Sequence, residues 1–106
     1  AMLMSGRFAV CPEGNFPEGG SLKTRAGGEL VAVFKQQGKL YALADTCSHA
    51  QSSLSEGEIS SGAVSCPLHG ARFDLDTGQA LSLPATRPVQ TFAVEVENGE
   101  IVVTIP

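Results

Sequence analysis

The sequence predicts an all-β fold. Three observations carry that expectation. Twelve glycines and six prolines punctuate short apolar segments throughout the 106 residues, as in a domain of short strands and turns. Gln90–Glu97 alternates, with Phe92, Val94 and Val96 set inward and Thr91, Glu95 and Glu97 outward, which is the period of a half-buried strand. No convincing amphipathic helix longer than two turns can be drawn anywhere in the chain.

The elements follow in order. Phe8–Cys11 reads as a first strand ended by Pro12. Gly19-Gly20 and Gly27-Gly28 bracket a second, Ser21–Ala26. Glu29–Gln36 is the clearest core strand: Leu30, Ala32 and Phe34 fall on one face and Val31 and Val33 on the other, so both faces should be covered. Gln37-Gly38 turns the chain into Lys39–Ala44. Asn98-Gly99 is a type I′ signal, because both central positions of that turn need positive φ, and Glu100–Ile105 closes the last hairpin.

Composition narrows what such a domain can do. Hydrophobic residues make up 42% and charged residues 17%, so a packed core is expected. Seven basic against eleven acidic side chains give a net charge of −4, which argues against nucleic acid or an anionic membrane as partner. No apolar run exceeds five residues, too few for a membrane-spanning helix. Ala1–Gly6 has no basic stretch and no long apolar one, so it does not read as a secretory signal. Three cysteines, an odd and small number, fit a reduced cytoplasmic setting better than a disulfide-stapled one. One domain, 1–106, is expected, with a basal β part at about 1–44 and 86–106 and a distinct part at about 45–85. Nothing in the pattern demands more than a monomer.

The middle part is rich in Ser, Gly and Pro and poor in long apolar runs. A metal centre can hold such a stretch, because ligand bonds then supply folding free energy. Both histidines of the chain lie there, each separated from a cysteine by only one or two residues: Cys47-x-His49 and Cys66-x-x-His69, with sixteen residues between the pairs. Pro67 and Gly70 shape the second pair into a tight turn. Two thiolates and two imidazoles can bind one tetrahedral zinc, or a [2Fe–2S] cluster with both cysteines on one iron and both histidines on the other. A catalytic reading, with Cys66 as nucleophile and His69 or His49 as base, leaves two of the four groups unexplained. Cys11 stands apart and reads as a small, partly buried residue.

Cys47-Ser48-His49 followed by Cys66-Pro67-Leu68-His69-Gly70 resembles the Rieske ligand motif in its residues and its spacing. Ala71-Arg72-Phe73-Asp74, Thr77-Gly78 and the proline loop Leu83-Pro84-Ala85 extend the likeness over residues 45 to 85. The resemblance implies an antiparallel β-sandwich with a small cluster-binding subdomain of loops and short strands. It implies Cys47, His49, Cys66 and His69 as ligands of one Rieske-type [2Fe–2S] cluster, with the outer histidine edges as the electron's route. High-potential relatives carry an extra cysteine in each ligand loop; Ser52 and Leu68 stand there in this chain. They also carry Ser and Tyr hydroxyls where this chain has Ala71 and Phe73. A potential below zero follows. Leu54, Leu68, Phe73 and Leu81 are candidates to pack near the cluster.

A chain of this length has no room for the catalytic iron of an oxygenase, and no dinucleotide fingerprint is present. The likeness therefore implies not an enzyme but a one-electron carrier. It resembles the ferredoxin component of bacterial aromatic-ring dioxygenase systems, docking transiently with a flavoprotein ferredoxin reductase and a terminal oxygenase. The alternatives are a Rieske-like small subunit of an assimilatory nitrite reductase and a zinc-binding interaction module. Asp45, Glu56, Glu58, Asp74 and Asp76 against the single base Arg72 put the whole net charge between residues 45 and 76. That suggests an acidic collar around the redox centre that steers a basic partner.

Overall fold

The computed structural model describes residues 5–46, 52–67, 70–83 and 85–106. Nine strands are formed among them: β1 (Gly6–Pro12), β2 (Ser21–Ala26), β3 (Glu29–Gln36), β4 (Lys39–Ala44), β5 (Ile59–Ser60), β6 (Ala63–Ser65), β7 (Arg72–Asp74), β8 (Thr91–Glu97) and β9 (Glu100–Ile105). The only helical pieces among the described residues are two single 3-10 turns, Glu13–Asn15 and Leu54–Glu56. All strand pairings are antiparallel. The all-β expectation holds.

Six strands form the base, in the order β1-β9-β8-β4-β3-β2. Its edge strands β1 and β2 approach each other, so the sheet curls back on itself. The three remaining strands form a small sheet, β5-β6-β7. Two-residue turns join the hairpins. Gln37-Gly38, Ser61-Gly62 and Asn98-Gly99 all have positive φ at both positions, matching the right-handed twist of the strands they connect.

β3 explains how the base carries the rest. Val31 and Val33 face the interior of the curled sheet, with Phe16, Ala42, Phe92, Ile101 and Val103. Ala32 and Phe34 face the opposite way and, with Leu43, meet Leu54, Val64, Cys66 and Phe73. One strand therefore serves two apolar layers, each fully buried side chain contributing about 1.5–3 kcal/mol relative to exposure. The alternation expected in β8 fades along the strand. Phe92 is buried and Val94 half-buried, but Val96 is 47% exposed, because it lies next to the Asn98-Gly99 turn, beyond the reach of the core.

Candidate metal centre

Of the four predicted ligands the structure describes Cys66; Cys47, His49 and His69 lie outside the described residues, as do Leu68 and Pro84. Cys66 follows directly on β6 and is 1% exposed, in the apolar layer that also holds Leu54, Val64, Ala71 and Phe73. Its N–H donates to the Ala71 carbonyl at 2.7 Å, and its own carbonyl accepts from the Gly70 N–H at 2.9 Å. Those bonds close the chain on both sides of the Leu68-His69 pair. Gly70 has φ 73° and open space where a Cβ would lie. Glycine is thus favoured there by backbone conformation alone.

The segment holding Cys47 and His49 is closed at its mouth in a different way. Thr46 and Ser53 form an isolated antiparallel bridge. Asp45 beside it is 1% exposed. Its N–H donates to the Leu30 carbonyl at 3.1 Å and its carbonyl accepts from Leu54 N–H at 2.7 Å. Its carboxylate accepts from the Ser55 N–H at 3.0 Å and faces Lys23 Nζ at 3.7 Å. Lys23 also donates to Ser53 Oγ at 3.1 Å, and Ser21 Oγ to the Ser55 carbonyl at 2.7 Å. Composition alone places Asp45 among the acids of a collar. The fold buries and pairs it instead.

The two mouths meet at Gly57. A Cβ there would sit 1.8 Å from the Ser65 carbonyl oxygen, and Ser65 N–H donates to the Glu58 carbonyl at 2.9 Å. The turn leaving the first loop is thereby laid flat on the strand that ends at Cys66. A third segment passes on the far side of β7. Leu81 N–H donates to the Arg72 carbonyl at 2.7 Å, and Ser82 Oγ accepts from Arg72 N–H at 3.0 Å. Ala85, past the proline, is buried in the same layer as Cys66.

Other expectations divide. Leu54 and Phe73, two of the residues expected near the cluster, are fully buried in the same layer as Cys66. Leu81 is 52% exposed, and with Leu83 at 78% it presents an apolar surface instead. The collar thins as well. Asp74 spends Oδ1 on the Asp76 and Thr77 N–H groups of its own turn, and Asp76 pairs with Lys39 at 3.6 Å. Glu56 and Glu58 remain exposed, around a depression of about 270 Å³ lined also by Gly57, Ser65, Cys66 and Pro67. Cys11 lies in the other layer, on the base, and burial, followed by the charge of Glu100, pushes its thiol pKa up. That is the behaviour of an inert packing residue.

A family model for the Rieske [2Fe-2S] domain matches residues 6–93. The chain belongs to that family. Its cofactor is accordingly a Rieske-type [2Fe–2S] cluster. The residues fit the group: a cysteine buried in an apolar layer at a closed turn, with Asp45 and Gly57, which flank the Cys47/His49 pair in sequence, held by buried hydrogen bonds and by close contact with the Ser65 carbonyl ahead of Cys66. The chain is 45% identical over 101 residues to the 3-phenylpropionate/cinnamic acid dioxygenase ferredoxin subunit of Escherichia coli (strain K12), covering 94% of each. Its fold superposes on the ferredoxin of carbazole 1,9a-dioxygenase from Nocardioides aromaticivorans IC177 with a TM-score of 0.89, at 32% identity, covering 94% of this chain and 98% of that one. A chain in a complex of reduced oxygenase and oxidized ferredoxin of carbazole 1,9a-dioxygenase gives a TM-score of 0.86, at 36% identity and 92% coverage of both.

Proposed function

We propose that Cys47, His49, Cys66 and His69 hold the cluster, the cysteines on one iron and the histidines on the other, within a single domain whose base is about 1–44 and 86–106. The protein is an electron-transfer component, not itself an enzyme. It carries single electrons from a flavoprotein reductase to the terminal oxygenase of an aromatic-ring dioxygenase system, docking transiently with each. The observation that carries this reading is the 45% identity to a dioxygenase ferredoxin subunit along 94% of both chains, joined to the burial of Cys66 at a closed turn.

When bound, the cluster accepts and releases one electron at a time; two thiolates leave its oxidised form neutral, which favours reduction relative to an all-cysteine site. The chain's own residues do the rest. Leu54, Val64, Ala71 and Phe73 exclude water from Cys66. Ala71 and Phe73 offer no hydroxyl, which keeps the potential at the low end of the Rieske range. Glu56 and Glu58 leave a modest negative field beside Cys66 for a basic partner. No helix among the described residues is long and apolar enough to cross a membrane, and a reduced cytoplasm is the setting that suits a chain with so few cysteines.

The decisive experiment is electron paramagnetic resonance of the dithionite-reduced protein, followed by transfer assays. A mixed His/Cys signal, and reoxidation by a ring-hydroxylating oxygenase, are expected. Transfer should slow as ionic strength rises, and Glu56→Gln with Glu58→Gln should flatten that dependence. Reoxidation by a sirohaem nitrite reductase instead would install the nitrite reductase subunit reading. A colourless zinc protein would end both.

A further inference from the structure

We infer that Asp45 is a positioning residue for the cluster: its carboxylate fastens the loop that carries Cys47 and His49 and sets that loop against Cys66. The inference rests on the ligand assignment above. Four observations support it. Asp45 is buried, although it lies in a segment of mostly small polar residues. Its backbone and side chain together make three hydrogen bonds, one to Leu30 on β3 and two to Leu54 and Ser55 just past the Cys47/His49 segment, which Asp45 itself precedes. Lys23 reaches across from β2 to both Asp45 and Ser53, so the base grips both ends of the Thr46–Ser53 span. The Leu54–Glu56 turn then passes the constraint on to Cys66 through the contact of Gly57 with the Ser65 carbonyl.

The physical reason is the absence of any cross-link between the ligand loops, since Ser52 and Leu68 stand where a disulfide would need cysteines. Fixing the two ends of a short loop removes conformational freedom that ligand bonds would otherwise have to overcome. A buried carboxylate does this well, because breaking the contact strands a buried N–H and a charge together. The hydrogen bond to Ser55 is the part that sets loop position. Lys23, nearly half exposed, neutralises the charge and adds less.

The test compares Asp45→Ala, Asp45→Asn, Asp45→Glu and Lys23→Met in the full chain. Two readouts are followed: the reduced-state paramagnetic g-values, and the rate of metal release to a chromogenic chelator. Asp45→Ala is expected to release metal about tenfold faster or more, given what a stranded buried donor costs, and to shift or broaden the g-values. Asp45→Asn keeps an acceptor for the Ser55 N–H and should restore both. Lys23→Met should stay within about threefold of the parent, as for an exposed pair. If Asp45→Ala does not fold, Asp45→Glu reads the same effect, since one added methylene displaces the carboxylate: shifted g-values support the inference. Unchanged g-values and release, in whichever of Ala or Glu folds, overturn it even where the melting temperature falls. The parent spectrum alone decides whether the cluster is of Rieske type, and chelator release reports loop positioning for any metal. A wrong ligand assignment and a wrong role for Asp45 therefore give different results.

Discussion

In the base, β3 alone buries Val31 and Val33 on one side and Ala32 and Phe34 on the other, and strands of six to eight residues surround it. Around Cys66 the longest strand has three residues. There the fastening is done by Asp45, by Gly57 against the Ser65 carbonyl, and by Gly78, whose absent Cβ would lie 2.1 Å from the Val89 carbonyl oxygen. The first region is specified by side-chain period and would tolerate many apolar substitutions of similar volume. The second is specified by individual backbone contacts and by the metal centre, and has no periodic redundancy to fall back on.

Removing the cluster should separate the two regions most sharply. Chelation under reducing conditions is expected to abolish hydrogen-exchange protection in β5, β6 and β7, while β3, β4, β8 and β9 stay protected. The shared layer, in which Phe34 and Leu43 meet Leu54 and Phe73, should loosen on one face only. Simultaneous loss of protection in all nine strands would show a single cooperative unit and remove the contrast.

A single methyl group should come next in effect. Gly57 has an ordinary extended backbone, φ −84° and ψ 168°, so Gly57→Ala carries no conformational strain. Its whole cost is the collision with a backbone carbonyl that cannot rotate away. Destabilisation of about 1–3 kcal/mol or more is expected, with poor cluster incorporation judged by the visible absorbance per protein. Gly14→Ala, where a Cβ meets nothing within 4 Å, should stay within about 0.5 kcal/mol. Equal behaviour of the two variants would mean that the cluster part can shift to admit the methyl.

The same contrast decides which parts of the molecule are legible in the sequence. The bounds of β2, β3, β4 and β9 are those read from flanking turn residues and, for β3, from its two apolar faces, and Asn98-Gly99 turns as its residues demand. β1 runs beyond Phe8–Cys11 at both ends because Gly6 and Pro12 still pair across to β9, with a bulge between Ala9 and Cys11. β5, β6 and β7 are two or three residues long, too short for any period to show. Asp45 looks like any surface acid, because two of the residues it meets, Lys23 and Leu30, lie fifteen or more residues earlier in the chain. A weak signal exists in its place directly ahead of the first ligand segment, ten residues before the Ser55 whose N–H it accepts. Leu81 reads as core, but only backbone geometry shows that its N–H, rather than its side chain, does the docking.

A smaller effect concerns the potential. Ala71 and Phe73 are fully buried in the layer of Cys66. Ala71→Ser and Phe73→Tyr each place a hydroxyl where the family's high-potential members have one. A hydrogen bond to a charged group is worth about 1.5–3 kcal/mol, on the order of 60–130 mV for a one-electron couple. Protein-film voltammetry should show each variant shifted upward, by less than that range where the hydroxyl finds a backbone carbonyl instead. No upward shift in either variant would mean that low potential here has another source. The matching substitution in the base, Phe92→Tyr, should leave the potential unchanged.

The smallest effect belongs to the base and to pH. The Glu18 carboxylate accepts the Gly38 N–H at 2.9 Å and the Gln37 N–H as well, capping the turn between β3 and β4. Those bonds, Gly38's first, hold its pKa below the usual glutamate range, slightly opposed by desolvation. A carboxylate whose pKa is lowered by folding stabilises the fold at pH above the unfolded value, and that contribution fades as pH falls through the folded value. Glu18→Gln should therefore melt slightly below the parent at neutral pH and converge with it in acid. The amide resonances of Gln37 and Gly38 should titrate in the parent with a midpoint below that of an ordinary glutamate, and lose the titration in the variant. Because the group is fully exposed, the difference should shrink with added salt. A gap between parent and variant that stays constant with pH would show that the glutamine lost packing rather than charge, and that even in the base one contact can matter through shape alone.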